Sequence, residues 1–260
     1  MVESSKDITV SVPSVLFSTI FVTLLPIVLG FIWIRKYNGR ICYILIGVGG
    51  FIGSVAIESI FLLLMTKIFG KDSIIFNIIG GISPGLFEET GKYLLIKYIY
   101  SKEKLKNNSV SYGIGHGGIE SIMVGISLLA NIFAKDVLIE QGVLKQSVTF
   151  SWCLMGVCER IFAIALQISL SIINYKAIRD QNINFYFLAI ILHDFIDFFA
   201  ILYHKGILKS LYVVELIFGI LAFSVFWYAY NFYVKCDEKE AEKIIPLEDK
   251  KESSLVNNFN

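Results

Sequence analysis

Three short motifs carry the residues of this chain that could do chemistry. They are Phe87-Glu88-Glu89-Thr90-Gly91-Lys92, Tyr112-Gly113-Ile114-Gly115-His116-Gly117-Gly118-Ile119-Glu120 and His193-Asp194-Phe195-Ile196-Asp197. Two of the three histidines lie in them, each with carboxylates close by. Every motif interrupts a stretch otherwise oily enough to cross a bilayer, where an ionisable side chain costs at least about 2.5–3.5 kcal/mol. Such groups must face partners or a wet hollow, so the three motifs predict a built site inside the membrane.

Spacing says what that site could do. His116 and Glu120 are four apart and share a helix face, as do His193 and Asp197, whereas Asp194 points elsewhere. Glu88 and Glu89 are adjacent, about 100° apart around a helix, so the sequence leads us to expect one of them to face the site. Lys92 can pair with either. A carboxylate in a dry pocket is a candidate general base, and a histidine beside it can share the proton work or steady an oxyanion. His116, Glu120 and His193, with Glu89 or Asp197 as alternatives, could instead ligate a catalytic zinc through nitrogen and oxygen. A metal-free reaction driven by a glutamate needs the same residues. The glycines around His116 would let a substrate chain or a partner helix approach closely.

The elements that must position these residues follow from composition. The 260 residues are 55% apolar, and the mean hydropathy is +0.68. Seven apolar windows, at 14–34, 41–66, 73–99, 110–134, 147–174, 184–204 and 211–234, predict an all-α polytopic membrane bundle of about seven transmembrane helices. Gly80, Gly81, Pro84 and Gly85 predict a kink or break in the third. Residues 1–235 form the bundle, with its site-bearing core at 74–200, and residues 236–260 read as a charged, disordered cytoplasmic tail. The four cysteines have no framework spacing and read as free thiols. A net charge of +1 gives no case for nucleic acid. The third histidine, His204, falls at the end of a predicted span.

Loops one, three and five carry nine Lys and Arg against six in loops two, four and six, and Lys235 with the four lysines of the tail adds five to the first set. That bias puts the amino terminus outside and the carboxy terminus in the cytoplasm of a multi-pass protein of the cell membrane. Helical rise places Glu89, His116 and His193 roughly 9–14 Å from the cytoplasmic ends of their spans. Glu159 and Arg160 read as structural charges that each find a partner across the bundle, with Glu120 or Glu58 as candidates for the arginine.

The Glu88-Glu89 pair, the Tyr112-x-x-x-His116 stretch and the His193-x-x-x-Asp197 stretch resemble the three signatures of the CPBP superfamily of intramembrane proteases. The Gly-His-Gly-Gly-Ile-Glu run is most similar to the bacterial YhfC family of intramembrane metalloproteases, and Glu-Glu-x-x-Lys is similar to the PrsW proteases. The resemblance spans about residues 74 to 200. It implies that Glu88 or Glu89 activates water with help from His116, while His193 and Asp197 stabilise the oxyanion or hold the site together. Two departures matter. Lys92 stands near the place of a family arginine, and Asp197 replaces an asparagine common in the prenyl-protein proteases.

The expected function is an intramembrane endopeptidase. It would cut a membrane-associated peptide or protein in the cytoplasmic half of the bilayer, with no cofactor or with a bound divalent metal such as zinc. Two other classes remain open from sequence: a proton-coupled small-molecule carrier, against which no internal repeat is found, and a non-catalytic peptide-binding or immunity protein.

Overall fold

The described residues form eight helices: α1 (Val12–Tyr37), α2 (Ile41–Phe69), α3 (Ile74–Lys102), α4 (Asn107–Phe133), α5 (Lys135–Glu140), α6 (Phe150–Arg179), α7 (Asn184–His204) and α8 (Leu211–Val256). The computed structural model describes residues 8–71, 73–102, 106–144, 147–204 and 206–256, side chains at 102, 204 and 237–256 excepted. The seven expected spans correspond to the seven long helices. Six of these, all but α3, are long and apolar enough to cross a membrane. At 29 residues α3 matches them in length, but it carries Glu88, Glu89 and Lys92.

Local signals set the helix ends. Pro13 sits in the first turn of α1, where its missing N–H removes no intrahelical bond. Asn38 closes that helix in the left-handed conformation at φ 55°. Thr149 caps α6 by accepting the backbone N–H of Trp152.

The molecule has two ends, which polar contacts define. At the N face, where α1 begins, a short bridge joins Val10 to Val148 just before α6, and Ser18 donates to the Cys153 carbonyl. At the C face, Trp33 of α1 donates to Ser111 of α4, and Lys106 before α4 donates to the Tyr233 carbonyl of α8. The connections α2–α3, α4–α6 and α7–α8 therefore lie at the N face.

Burial is inverted relative to a soluble protein. Ile57, Ile126 and Leu216 are 60–64% exposed, whereas Glu89, Lys92 and His116 are fully buried. An apolar exterior around a polar interior suits a bilayer, in which backbone and charge must be satisfied from within. A core of Ile114, Leu166, Leu170, Ile173, Ile196 and Ala222 binds α4, α6, α7 and α8. A second cluster of Tyr43, Ile96, Ile99, Tyr112 and Tyr175 ties α2, α3, α4 and α6 toward the C face.

Two expectations change. The third helix is not broken: α3 runs through Pro84 as one element. Its neighbours supply polar cover there. The Asp194 carboxylate accepts the Gly85 N–H at 3.0 Å, and Ser83 Oγ lies 2.6 Å from Glu58 and 3.4 Å from the Gly80 carbonyl that proline leaves without a donor. The backbone of α8 also stays helical well beyond Cys236, to Val256, where a disordered tail was expected. Glu, Lys and Ala dominate residues 237–243, and these are good helix formers. Residues 257–260 lie outside the described part.

Candidate active site

The three motifs meet. Glu88, midway along α3, places Oε2 at 2.9 Å from Nε2 of His116 on α4. Its neighbour Glu89 places Oε1 at 2.9 Å from Nδ1 of His193 on α7. Both glutamates therefore face the interior, which corrects the expectation that one would. The physical reason is the position of α3, which packs against α2, α6 and α7 and touches α4, so two directions 100° apart both lead inward.

The Glu89 carboxylate is fully enclosed and held from three sides. Lys92 Nζ donates to its Oε1 at 2.6 Å, and Nδ2 of Asn174 donates to its Oε2 at 2.7 Å. Glutamate and lysine have no exposed side-chain surface. Glu88 is held more lightly. Besides His116, among the described residues it takes only a long 3.3 Å bond from Gln167 Nε2, also to Oε2, and it keeps 10% of its side chain exposed.

Gln167 of α6 is the hub that the sequence reading missed. Its Oε1 accepts from Lys92 at 2.6 Å, while its Nε2 donates to Glu120 at 3.0 Å as well as to Glu88. Asn174 was missed too. Both are uncharged and sit in an apolar helix, so they raised no charge signal. Their spacing did carry one. Arg160, Gln167 and Asn174 recur every seven residues, which keeps them on one side of α6. Arg160 donates to Glu120 at 2.8 Å and also pairs with Glu159, as expected of structural ions.

Asp197 stands at the margin. Its Oδ2 is 3.5 Å from His193 Nε2, and its side chain is 39% exposed. Asp194 staples α7 to the Gly85 backbone of α3, away from the histidines. A cavity of about 100 Å³ lies against this side of the cluster, with Gln167, His193 and Asp197 in its wall. It has room for water, which needs about 10–15 Å³ of such space per molecule.

The glycines around His116 serve helix packing. A Cβ on Gly113 would come within 2.6 Å of the Ile168 backbone of α6, and one on Gly115 would collide with the Ile44 carbonyl of α2. α4 is thus pressed between two helices, and the space belongs to partner backbones. Phe51 also packs edge-on to the His116 ring at 5.2 Å.

The metal set does not assemble. Among the described residues, no three His, Cys, Asp or Glu side chains are grouped to hold an ion. His116, Glu120 and His193 each face other partners. His116 is turned to Glu88 and His193 to Glu89. Both Glu120 oxygens are engaged, by Arg160 and by Gln167. The Lys92 ammonium, bonded to Glu89 and Gln167, already supplies a fixed positive charge at the centre. These donors do not fit a divalent cation.

Comparison with known proteins points to one family of membrane proteins. A family model described as "YhfC intramembrane metalloprotease" matches residues 21–218. A protein of Bacillus subtilis (strain 168), described as "Uncharacterized membrane protein YhfC", is 31% identical over 233 residues, covering 78% of this chain and 90% of that protein. No solved structure gives a significant match.

Proposed function

This chain belongs to the YhfC family, and we propose that it is an intramembrane endopeptidase hydrolysing peptide bonds of membrane-associated substrates. One observation carries the reading. Two adjacent glutamates of one helix each pair with a histidine from a different helix in an otherwise apolar bundle, and a chamber with room for water lies against one of those histidines, His193.

The pairs differ in how many donors hold the carboxylate, and the roles are read from that difference. Glu89 is fixed by three donors and has no exposed surface, so it orients His193 and neutralises Lys92. Glu88 has an oxygen that no described residue holds, and it is the general base. It takes a proton from water as the oxygen attacks the scissile carbonyl, while the His116 N–H on its other oxygen holds the carboxylate in place. His193 donates to the developing oxyanion. The proton held by Glu88 then passes to the departing amine, and the C–N bond breaks. Asp197, 3.5 Å from the far nitrogen of His193, faces that ring and is not itself the oxyanion donor.

The name of the family calls for a metal, but the donor arrangement above gives it no seat, and no step here passes through one. Following the loop cations, the amino terminus lies outside and the C face is cytoplasmic. His116 and His193 are each nine residues from the C-face ends of their helices. The experiment is cleavage of synthetic single-span peptides by purified protein in lipid nanodiscs, read by mass spectrometry. Glu88→Gln, properly folded, should lose cleavage by about 10²–10⁴-fold. Full activity in that variant would overturn the assignment.

A further inference from the structure

The catalytic cluster sits nearer the C face, yet the free space beside it leads the other way. The inner chamber against His193 and Gln167 shares Glu159, Ala200, Val214 and Glu215 with a second cavity of about 440 Å³. That cavity in turn shares Trp152, Met155, Tyr203 and Leu211 with a third of about 390 Å³. The third is lined by Ser147 and Thr149, just before α6, and by Lys209 and Ser210, just before α8. Both connections belong to the N face, so the three hollows, sharing walls in turn, lie in steps along α6, α7 and α8 from the N face to the cluster.

The inner chamber is strongly acidic. Glu120, Glu159, Asp197 and Glu215 line the chamber, against Arg160 as its one formal cation besides His193. Arg160 is shared between Glu120 and Glu159, so the carboxylates outnumber the cations even with His193 facing Asp197. The Arg160 Nε–H is buried with no acceptor among the described residues, so a carbonyl in the chamber would find a donor there. Low-dielectric walls strengthen the attraction of such a hollow for a positive group. Lys209 lies at the outer rim, where solvent screens it.

We propose that the substrate chain enters between α6, α7 and α8 from the N face and sets a lysine or arginine side chain in the inner chamber beside His193. This deepens the endopeptidase reading and rests on it: the residue adjoining the cut would be basic. The reading it excludes is entry from the face bearing the carboxy-terminal tail.

Thiol accessibility tests the passage without asking for catalysis. With Cys42, Cys153, Cys158 and Cys236 replaced by serine, Ala200→Cys places a thiol where the inner and middle cavities meet. Two methanethiosulfonate reagents, one bearing trimethylammonium and one sulfonate, are added to one side of sealed, oriented vesicles, with Ile220→Cys on the outer apolar face as control. Size-exclusion profiles matching the parent protein show that the variants fold. We expect Ala200→Cys to be labelled from the N face alone. Normalised to a small free thiol, the cationic reagent should react at least about tenfold faster than the anionic one, and Glu215→Gln should cut that preference severalfold. Labelling from the C face only, no labelling from either side, or no charge preference would overturn the proposal. Because the readout needs no hydrolysis, an inactive protein still reports on the passage. A protein that cuts peptides but labels from the C face refutes the passage alone.

Discussion

Replacing Glu89 with glutamine removes one charge at a position with no access to water, and the loss falls on Lys92. In the native chain that ammonium is enclosed on all sides, with Glu89 at 2.6 Å as its counter-ion and the Gln167 carbonyl as its other acceptor. Glutamine nearly keeps the shape, so cavity formation contributes little. What remains is an uncompensated buried cation, and breaking a buried pair from one side costs about 3–5 kcal/mol. On the soluble-domain scale of about 2–4 °C per kcal/mol, the midpoint of thermal unfolding should fall by roughly 6–20 °C. Lys92→Met alone should cost less, because Glu89 keeps His193 and Asn174 as donors. The double variant, Glu89→Gln with Lys92→Met, should recover most of the loss, since removing both charges together is often close to neutral. The assay is intrinsic-fluorescence unfolding in detergent. If Glu89→Gln unfolds within about 2 °C of the parent, or if the double variant loses the sum of the singles, the two residues are not energetically coupled as a buried ion pair.

Other perturbations reach different parts of the account. Gln167→Leu strips Lys92, Glu88 and Glu120 of a shared partner. It should destabilise by about 1–3 kcal/mol per group left unsatisfied and slow cleavage, whereas Gln167→Glu should fail to restore the two donor bonds; unfolding and cleavage rates measured side by side check both. Gly115→Val forces a side chain into the Ile44 backbone of α2, a clash of about 1–3 kcal/mol or more, seen as reduced accumulation in the membrane. Divalent metal should be substoichiometric in protein purified without chelator, and EDTA should leave the unfolding midpoint unchanged. One ion per chain, lost together with stability in His116→Ala or His193→Ala, would contradict the pairing of those histidines with Glu88 and Glu89.

Hydropathy made the bundle legible, because the long apolar windows and the polar punctuation between them map one to one onto α1–α4 and α6–α8. That the three motifs would meet was legible from matched depth, although the partner of His116 is Glu88 and that of His193 is Glu89. The pairing of Arg160 with Glu120 was legible from the cost of an unpaired charge in hydrocarbon. What sequence could not supply was direction around a helix that is enclosed on more than one side. Adjacent residues normally split between inside and outside, but α3 lies deep enough for Glu88 and Glu89 both to point inward. Sequence reading also weighted charge over polarity, so Gln167 and Asn174 went unmarked despite their seven-residue register with Arg160. The glycines near His116 were ambiguous, since close approach by substrate and by backbone leave the same trace. The neighbouring helices settle that one. Pro84 predicted disruption correctly at the level of one hydrogen bond, yet Asp194 and Ser83, from another helix and from the preceding turn, sit beside the exposed backbone.

The central claim is that Glu88 drives peptide-bond hydrolysis within the membrane. Mass spectrometry of newly formed peptide termini, in membranes of cells expressing either the parent chain or Glu88→Gln at equal abundance, tests it most directly. The account predicts termini within or beside membrane-spanning segments that are present with the parent and absent with Glu88→Gln. Identical sets of termini from the two, with both proteins folded in the membrane, would contradict it.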